Sequence, residues 1–283
     1  MLFLGVIYNG IMKTAVYLGK RDLAVDSRLQ ELVKELESAE CFVHVIGDGE
    51  SPSEDDDFLL SVGGDGTFLS AAALVAQIGL PVVGVNLGRM GFLSENRPED
   101  VAKALLSGDY TIENRTMLHA DVVTGDDVID LWPYALNEMT VRRRGAAMLC
   151  VELSVDGIDL PAYWADGLVI STSSGSTAYS LSVGGPIVLP ESKVLIISPI
   201  APHNLNMRPL VVPDTSRLKL RMYSRDGAFE FSADNRTTEL TESVEIEISV
   251  AQFSLKRVRL NKSNFINALT EKLFWGEDVR NIK

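Results

Sequence analysis

The sequence predicts an α/β N-terminal domain with a parallel sheet, followed by a β-rich, β-sandwich-like C-terminal domain. In the first third of the 283 residues, short apolar runs alternate with helical patterns, which is typical of parallel strands joined by crossover helices. From about Thr116 the pattern changes to short strands separated by turn residues. A last segment, 264–275, places its large apolar side chains on one helical face and predicts a closing helix.

The N-terminal elements follow from apolar periodicity and from capping residues. Leu29, Leu32 and Leu36 recur at helical spacing behind Asp26 or Ser27, either of which can cap a helix. In parallel sheets ligands bind at the carboxyl ends of strands, where 63–67 and 86–91 both fall. We place this nucleotide-binding domain at 1–115, joined by the C-terminal helix of 262–283. The predicted strands are 13–19, 41–46, 58–62 and 81–87, and the further predicted helices are 65–78 and 98–106.

The second domain, placed at 116–261, is predicted from its strand patterns. Residues 218–222 alternate strictly between apolar and basic side chains, as in a strand with one buried face. The pairs Asp156-Gly157 and Asp226-Gly227 favour tight turns, so we expect each to join a hairpin. The predicted strands are 148–155, 168–170, 193–197, 217–223, 228–232, 244–250 and 254–260.

Composition excludes several classes of function. Lys and Arg number 26 against 39 Asp and Glu, and the net charge of -13 would repel nucleic acid. Cys41 and Cys150 lie in apolar runs that fit a reduced core, and hence a cytoplasmic location. The three histidines are scattered without ligand spacing, so we expect no protein-held metal. The apolar start, 1–8, is too short to cross a bilayer and no other run is long enough, so we expect no membrane association.

The most informative local feature is the run VGGDGT at 62–67, which closes an apolar strand and precedes an alanine-rich helical pattern. Glycines let the backbone approach a polyanion, and the first turn of a helix supplies free N–H groups. Gly63, Gly64 and Thr67 therefore form the candidate phosphate loop. Asp65 is an acid among anion-binding donors, so we expect it to handle a proton or a cation. The alternative is a strand-to-helix turn in which Asp65 only caps the helix.

Further motifs follow this run in order. They are the pair Asn137-Glu138, a long block of small and hydroxyl residues at 166–186, and residues 198–210. Together they closely resemble the NAD kinase family, whose signatures are a GGDGT turn, an Asn-Glu pair and a block reading DG…STPTGSTAYSLSAGGPI. The resemblance covers roughly residues 13 to 275. It departs from the family at Ser173-Ser174, where Pro-Thr is usual, and residues 1–11 precede it as either an upstream-start extension or an added edge strand.

The resemblance implies an activity and its partners. The enzyme would transfer the γ-phosphoryl group of ATP to the 2′-hydroxyl of the adenosine ribose of NAD, using Mg²⁺ or another divalent cation with ATP. It also implies homodimers or homotetramers formed through the β-rich domain, and a final helix that packs back on the first domain. No Walker A lysine follows Gly66, so the glycine turn is not a P-loop.

Roles for individual residues also come from the resemblance. Asp65 would accept the 2′-hydroxyl proton, while Asn137 and Glu138, near Gly66, would contact ribose and phosphate. Asn137 and Glu138 end a strand-like run, so the chain must bend there for both side chains to reach one ligand. Asp166 would accept from amino groups of the base or carboxamide. The remaining implied dinucleotide contacts are Thr177, Ala178, Tyr179, Ser182, Ala147, Trp164 and Arg236.

Other interpretations stay open at this point. Asn137 and Glu138 could be a turn residue and a solvated carboxylate, and Tyr179 could belong to the core. The basic run 142–144 fits a solvated edge or an ATP-phosphate contact, whereas Arg208 fits a loop-ordering role. A lipid or sugar kinase could share the glycine turn but does not predict the 166–186 block, and a dinucleotide sensor would not need Asp65. Trp164 leaves the preference between NAD and NADH open.

Overall fold

The computed structural model describes residues 11–47, 49–88, 91–124, 128–241 and 244–275. The chain divides into two compact units, residues 1–114 with 255–283 and residues 115–254. The helices are α1 (Ser27–Ser38), α2 (Asp65–Val75), α3 (Pro98–Ser107), α4 (Tyr179–Ser182) and α5 (Phe265–Leu273). The strands are β1 (Lys13–Leu18), β2 (Phe42–Ile46), β3 (Phe58–Val62), β4 (Val82–Val85), β5 (Tyr110–Thr124), β6 (Tyr134–Ala135), β7 (Glu138–Arg143), β8 (Leu149–Val155), β9 (Ile158–Asp159), β10 (Tyr163–Ala165), β11 (Gly167–Thr172), β12 (Val194–Ile200), β13 (Leu210–Pro213), β14 (Leu218–Tyr223), β15 (Ala228–Ala233), β16 (Arg236–Thr241) and β17 (Glu245–Leu260). Short 3₁₀ turns lie at Arg21–Val25 and Ser174–Thr177.

The first unit contains the predicted parallel sheet. β1 pairs in parallel with β2 and β3, β3 pairs with β4, and β4 pairs with the end of β17 through Arg257↔Val82. β3 and β4 are buried along their whole length, which explains their continuous apolar sequences. The predicted α/β class is confirmed. Helix α2 ends at Val75 rather than at 78, since the chain turns there into Gly79 with a φ of +73°.

Capping residues set the starts of two helices in this unit. Asp26 accepts the backbone N–H of Arg28 at 2.9 Å and so caps α1. Asn264 accepts the N–H of Asn267 at 2.8 Å and caps α5. Helix α5 packs on the first unit, because the ring of Phe265 lies 6.0 Å from that of Phe92, and this prediction is confirmed.

The second unit is built from antiparallel sheets that enclose one core. One sheet has the order β13-β12-β11-β7-β15-β16. A second group, β10, β8, β14 and the first part of β17, pairs antiparallel in that order. The core cluster takes Met139 and Phe231 from the first sheet and Leu153 and Leu220 from the second. The β-sandwich-like prediction is confirmed.

Several sequence predictions in this unit are wrong in detail. β5 escapes prediction because four successive residues, 115–118, are buried and hide the alternation of a strand. The predicted strands 244–250 and 254–260 form one continuous strand, β17. Asp226-Gly227 does not join a hairpin, since β14 and β15 belong to different sheets, whereas Asp156-Gly157 does join the paired strands β8 and β9. The set of predicted strands also lacks β6, β7, β9, β10, β13 and β16.

The observed extents of the units differ from the predicted domains. The chain returns to the first unit at Leu255, before the predicted 262, because β17 continues to pair with β4. The prediction on residues 1–11 falls outside the described residues except for Ile11, as does the part of the C-terminal segment beyond 275. In the described ranges, every helix is too short or too polar to cross a membrane.

Candidate active site

The glycine turn lies between β3 and α2, with Gly64 as the helix N-cap. Gly63 has a φ of +152°, and a Cβ there would collide with the side chain of Thr67. Gly64 and Gly66 are exposed, and a Cβ at either position would meet no atom of the described residues within 4 Å. The turn thus leaves open space in front of the first N–H groups of α2, as an anion site requires.

The carboxylate of Asp65 points at a neighbouring loop and does not cap α2. It accepts backbone N–H groups from Phe92 at 2.9 Å, Leu93 at 3.0 Å and Ser94 at 2.9 Å. A Cβ at Gly91 would overlap the same carboxylate, so a glycine is needed there. The capping interpretation of Asp65 is therefore wrong, because its oxygens are held by residues 92–94.

The loop that holds Asp65 is itself held by two cations. Arg257 is 4% exposed and donates to Glu95 at 2.6 Å, with Glu113 at 3.3 Å on its other side. Lys272 of α5 donates to the carbonyl of Gly91 and lies 4.7 Å above the Phe92 ring. Burial lowers the pKa of Lys272, and the carboxylates of Glu95 and Asp65 oppose that shift.

A similar arrangement bends the chain at Asn137-Glu138 in the second unit. Asp234, with a φ of +51°, lies in the turn between β15 and β16. Its carboxylate accepts the N–H groups of Leu136 and Asn137 at 2.8 Å and that of Glu138 at 3.3 Å. The predicted bend is present. However, Asn137 precedes β7 and Glu138 is its first residue, so the pair does not end a strand.

Among the described residues, two buried polar atoms at this bend have no hydrogen-bond partner, Oδ1 of Asn137 and Oε2 of Glu138. Burial and, to a lesser extent, the negative charge of Asp234 raise the pKa of Glu138 to about 8. A backbone hydrogen bond from Tyr179 acts in the opposite direction and lowers this pKa. Glu138 is therefore not a solvated carboxylate. Buried polar atoms of this kind are costly unless a ligand or water pairs with them.

The small-residue block packs against the same bend. Thr172 donates its hydroxyl to the carbonyl of Leu136 at 2.6 Å and accepts the N–H of Gly175 at 3.1 Å. A Cβ at Gly175 would overlap the carbonyl of Asn137. The predicted contact residues Thr177, Ala178 and Tyr179 are half-buried and Ser182 is exposed, so Tyr179 is not a core residue.

Asp166 is placed differently from its neighbours in the block. Its half-exposed carboxylate forms an ion pair with Arg143 at 2.6 Å, and Arg143 also donates to the carbonyl of Gly145. Trp164, on β10, is 50% exposed, and Ala147 is half-buried in the bend before β8. Asp166, Trp164 and Ala147 are thus at least partly exposed to solvent, and Asp166 already forms an ion pair with Arg143.

The remaining basic residues have protein partners. Arg236 donates to the carbonyls of Ala233 and Tyr134, at 3.2 and 2.5 Å, and lies 4.9 Å above the Trp132 ring. Arg208 donates to two carbonyls of its own loop at 2.7 Å, as expected for a loop-ordering residue. Arg142 and Arg144 pair with Glu230 at 2.7 Å and Glu239 at 2.8 Å on the partly exposed face of the sheet.

Within the described ranges, no three His, Cys, Asp or Glu side chains converge as a metal site would require. Backbone amides take three of the about four acceptor positions of the Asp65 carboxylate. The donor set does not fit a cation held by the protein alone.

The loop 91–94 and Lys272 were not recognised from the sequence. Gly91 was placed at the carboxyl end of a predicted strand, but its closeness to Asp65 depends on the fold. Lys272 lies within a helix that was predicted only as an apolar stripe.

Comparison with known proteins covers both units. The chain matches the ATP-NAD kinase N-terminal domain over residues 20–108 and the ATP-NAD kinase C-terminal domain over 136–260. The NAD kinase of Flavobacterium psychrophilum is 42% identical over 229 residues, which cover 80% of this chain and 78% of that protein. The NAD kinase of Bacteroides fragilis is 40% identical over 230 residues, covering 80% of this chain and 79% of that one.

Two solved structures resemble the fold. An NAD kinase from Archaeoglobus fulgidus in complex with ATP has a TM-score of 0.73 at 28% identity, over 89% of this chain and 95% of that one. A yeast NADH kinase complexed with NADH has a TM-score of 0.83 at 24% identity, over 97% of this chain and 91% of the other. The second match shows a shared fold.

Proposed function

The chain belongs to the NAD kinase family, and on that premise we propose which residues carry the transfer of the γ-phosphoryl group of ATP to the 2′-hydroxyl of NAD. None of the relatives described above favours a lipid kinase, a sugar kinase or a sensor. Phosphoryl transfer needs in-line positioning and neutralised charge more than covalent help from the protein. The proposal therefore concerns positioning and proton transfer.

Asp65 accepts the proton of the 2′-hydroxyl. An ionised carboxylate has about four acceptor positions, and three backbone N–H groups occupy three of them here. The remaining position can accept one hydroxyl, and its direction is fixed. A carboxylate is a weak base, so proton transfer accompanies attack on phosphorus rather than preceding it. This fixed carboxylate is the observation that carries the proposal.

Asn137 and Glu138 hold the dinucleotide. A pKa of about 8 keeps Glu138 mostly protonated at neutral pH, so its carboxyl group can donate while Oδ1 of Asn137 accepts. A sugar hydroxyl both donates and accepts, so it can use either group. Asp166, Thr177, Ala178, Tyr179 and Ser182 complete the dinucleotide contacts, with Ala147, Trp164 and Arg236 as peripheral ones.

The phosphates of the substrates are bound by Gly63, Gly64, Gly66 and Thr67 at the start of α2. The backbone N–H groups of Gly64, Gly66 and Thr67 offset the repulsion expected from a protein with a net charge of -13. The N–H of Gly63 donates to the carbonyl of Val85 at 2.9 Å, so Gly63 contributes the conformation of the turn. Mg²⁺ or another divalent cation would be held mainly by the phosphates of ATP. The bound cation neutralises phosphate charge.

The enzyme acts in the cytoplasm and as a homo-oligomer. The two free cysteines, Cys41 and Cys150, are buried and fit a reducing compartment. Light scattering coupled to gel filtration tests the oligomeric state, and a monomer at assay concentration would contradict that part of the proposal.

The activity is tested by incubating the purified chain with NAD, ATP and Mg²⁺ and measuring NADP. We expect NADP to form with ATP and to be lost when EDTA removes the cation. Isotope-labelled 2′-hydroxyl oxygen retained in the product would show that this oxygen attacks phosphorus. No NADP with any nucleoside triphosphate would contradict the proposal.

A further inference from the structure

Three successive peptide units connect Asp65 to two cations. The peptide between Gly91 and Phe92 accepts from Lys272 at its carbonyl and donates to Asp65 from its N–H. The next peptide accepts from Arg257 at the Phe92 carbonyl, 3.3 Å away, and donates to Asp65 through the N–H of Leu93. The third accepts from Arg257 at the Leu93 carbonyl, 3.5 Å away, and donates through the N–H of Ser94.

We propose that Lys272 and Arg257 are positioning residues that fix the orientation of the Asp65 carboxylate through these three peptide units. The proposal rests on the proposed role of Asp65 as proton acceptor. It adds Lys272 and Arg257, which bind the backbone carbonyls of residues 91–93 rather than the Asp65 carboxylate and lie far from the glycine turn along the chain. We refer to residues 91–94 as the relay loop.

The physical basis is the polarisation of a peptide that is hydrogen-bonded at both ends. A cation at the carbonyl oxygen strengthens the N–H as a donor, and the effect is larger where water is excluded. Arg257 is 4% exposed and serves two of the three carbonyls. The two cations therefore strengthen the three backbone N–H groups that donate to the Asp65 carboxylate.

An indirect contact has an advantage over an ion pair with Asp65. A lysine or arginine bound directly to the carboxylate would occupy the acceptor position that the substrate hydroxyl needs. The relay loop holds the carboxylate in place and leaves that position free. Glu95 and Glu113 fix the Arg257 guanidinium in turn, at 2.6 and 3.3 Å, so the cation cannot turn toward Asp65.

A purely structural role for Lys272 is the main competing explanation. Lys272 lies in the last turn of α5, where a cation also stabilises a helix through its dipole. That role would change stability and leave the catalytic step intact. The two explanations therefore differ in which quantity a substitution changes.

The first test is Lys272→Met, with Lys272→Arg as the conservative variant and Lys262→Met as control. Lys262 belongs to the same unit but pairs with Asp100 at the surface. We expect Lys272→Met to lower kcat by roughly tenfold to a hundredfold through misplacement of Asp65, with KM for NAD and ATP changed less than about threefold. Lys272→Arg should restore most of kcat, and Lys262→Met should match the wild type. Equal kcat in all four proteins would overturn the proposal.

A second readout does not depend on activity. The amide proton of Phe92 should move upfield in the NMR spectrum of Lys272→Met, because its hydrogen bond to Asp65 weakens. The same resonance should stay in place in Lys262→Met. An unchanged Phe92 resonance in Lys272→Met would show that no charge is transmitted through this peptide.

A double-mutant cycle with Asp65→Asn separates the relay from the role of Asp65 itself. If Lys272 acts through Asp65, Lys272→Met should lower kcat much less in the Asp65→Asn background than in the wild type. Full additivity would mean that Lys272 acts elsewhere, for example on a phosphate, and would overturn the relay alone. A near-normal kcat for Asp65→Asn by itself would instead overturn the proposed role of Asp65.

Discussion

At the scale of single residues, both units use an aspartate to shape a loop. Asp65 accepts three successive N–H groups from 92–94, and Asp234 accepts three from 136–138. The two carboxylates differ in which cations balance their negative charge. Asp234 is buried with Arg236 at 3.8 Å, whereas Asp65 is half-buried and receives positive charge through the relay loop. Asp234 thus shapes the bend at Asn137-Glu138, and Asp65 holds the relay loop.

Glu138 gives a prediction on pH dependence. Its folded pKa of about 8 lies above the unfolded value near 4.5, so the folded state binds an extra proton between these limits. Binding of this proton stabilises the folded protein. The stabilisation is fully present below pH 4.5 and is lost as the pH rises through 8. Glu138→Gln should remove this dependence, at up to about 1.4 kcal/mol per pH unit.

Urea unfolding of the ligand-free protein at pH 5.5 and 7.5 measures the effect. The wild type should lose roughly 2 kcal/mol more than Glu138→Gln between these two values. Asp234 is common to both proteins, so its own titration largely cancels in the difference. Equal losses in the two proteins would show that Glu138 is ionised in the fold across this range.

Gly91 gives a prediction on the geometry of Asp65. A Cβ at this position would overlap the carboxylate, so Gly91→Ala should displace Asp65 without removing it. We expect kcat to fall by roughly a hundredfold, in line with the cost of small misplacements in active sites. Gly88→Ala is the matched control, since its Cβ would meet only Asn86 at an ordinary 3.8 Å. Similar kcat values for the two alanine variants would contradict the overlap.

At the scale of elements, α5 matters because it carries Lys272 to the relay loop. Its start depends on the cap at Asn264, whose side chain accepts the N–H of Asn267 at 2.8 Å. Asn264→Ala should destabilise the protein by about 1 kcal/mol, whereas Asn264→Asp should retain the cap. Thermal unfolding compares the three proteins. A stability for Asn264→Ala equal to that of the wild type would mean that α5 contributes nothing to the folded unit.

The sequence predicted some elements well because their signals are local. The buried strands β1, β3 and β4 and the capped helix α1 appear as apolar runs and 3.6-residue periodicity next to a capping Asp26. β5 and β16 lacked such signals. Consecutive buried residues at 115–118 in β5 contain no alternation, and β16 follows a two-residue turn whose Asp234 has a positive φ.

At the scale of the whole molecule, the sequence motifs point to the candidate site residues, whereas only the fold shows which residues hold them in place. Asp65 lies within the glycine turn, and Asn137-Glu138 is itself one of the motifs read from the sequence. The relay loop, Arg257 and Lys272 are far from Asp65 along the chain, so only folding brings them together. The same holds for Asp234, which bends a segment 96 to 98 positions away.

The central claim, that Asp65 accepts the proton during NAD phosphorylation, is tested most directly by Asp65→Asn. The side-chain amide can accept from Leu93 and Ser94 but would face the N–H of Phe92, so we expect a folded protein with a modestly lower Tm. NADP formation measures kcat, and calorimetric titration with NAD measures Kd. The account predicts a kcat at least roughly 10² lower, with Kd for NAD within a few-fold of the wild type. A variant that keeps more than about a tenth of the wild-type kcat would contradict it, because general-base catalysis is typically worth about 10²–10⁴ in rate.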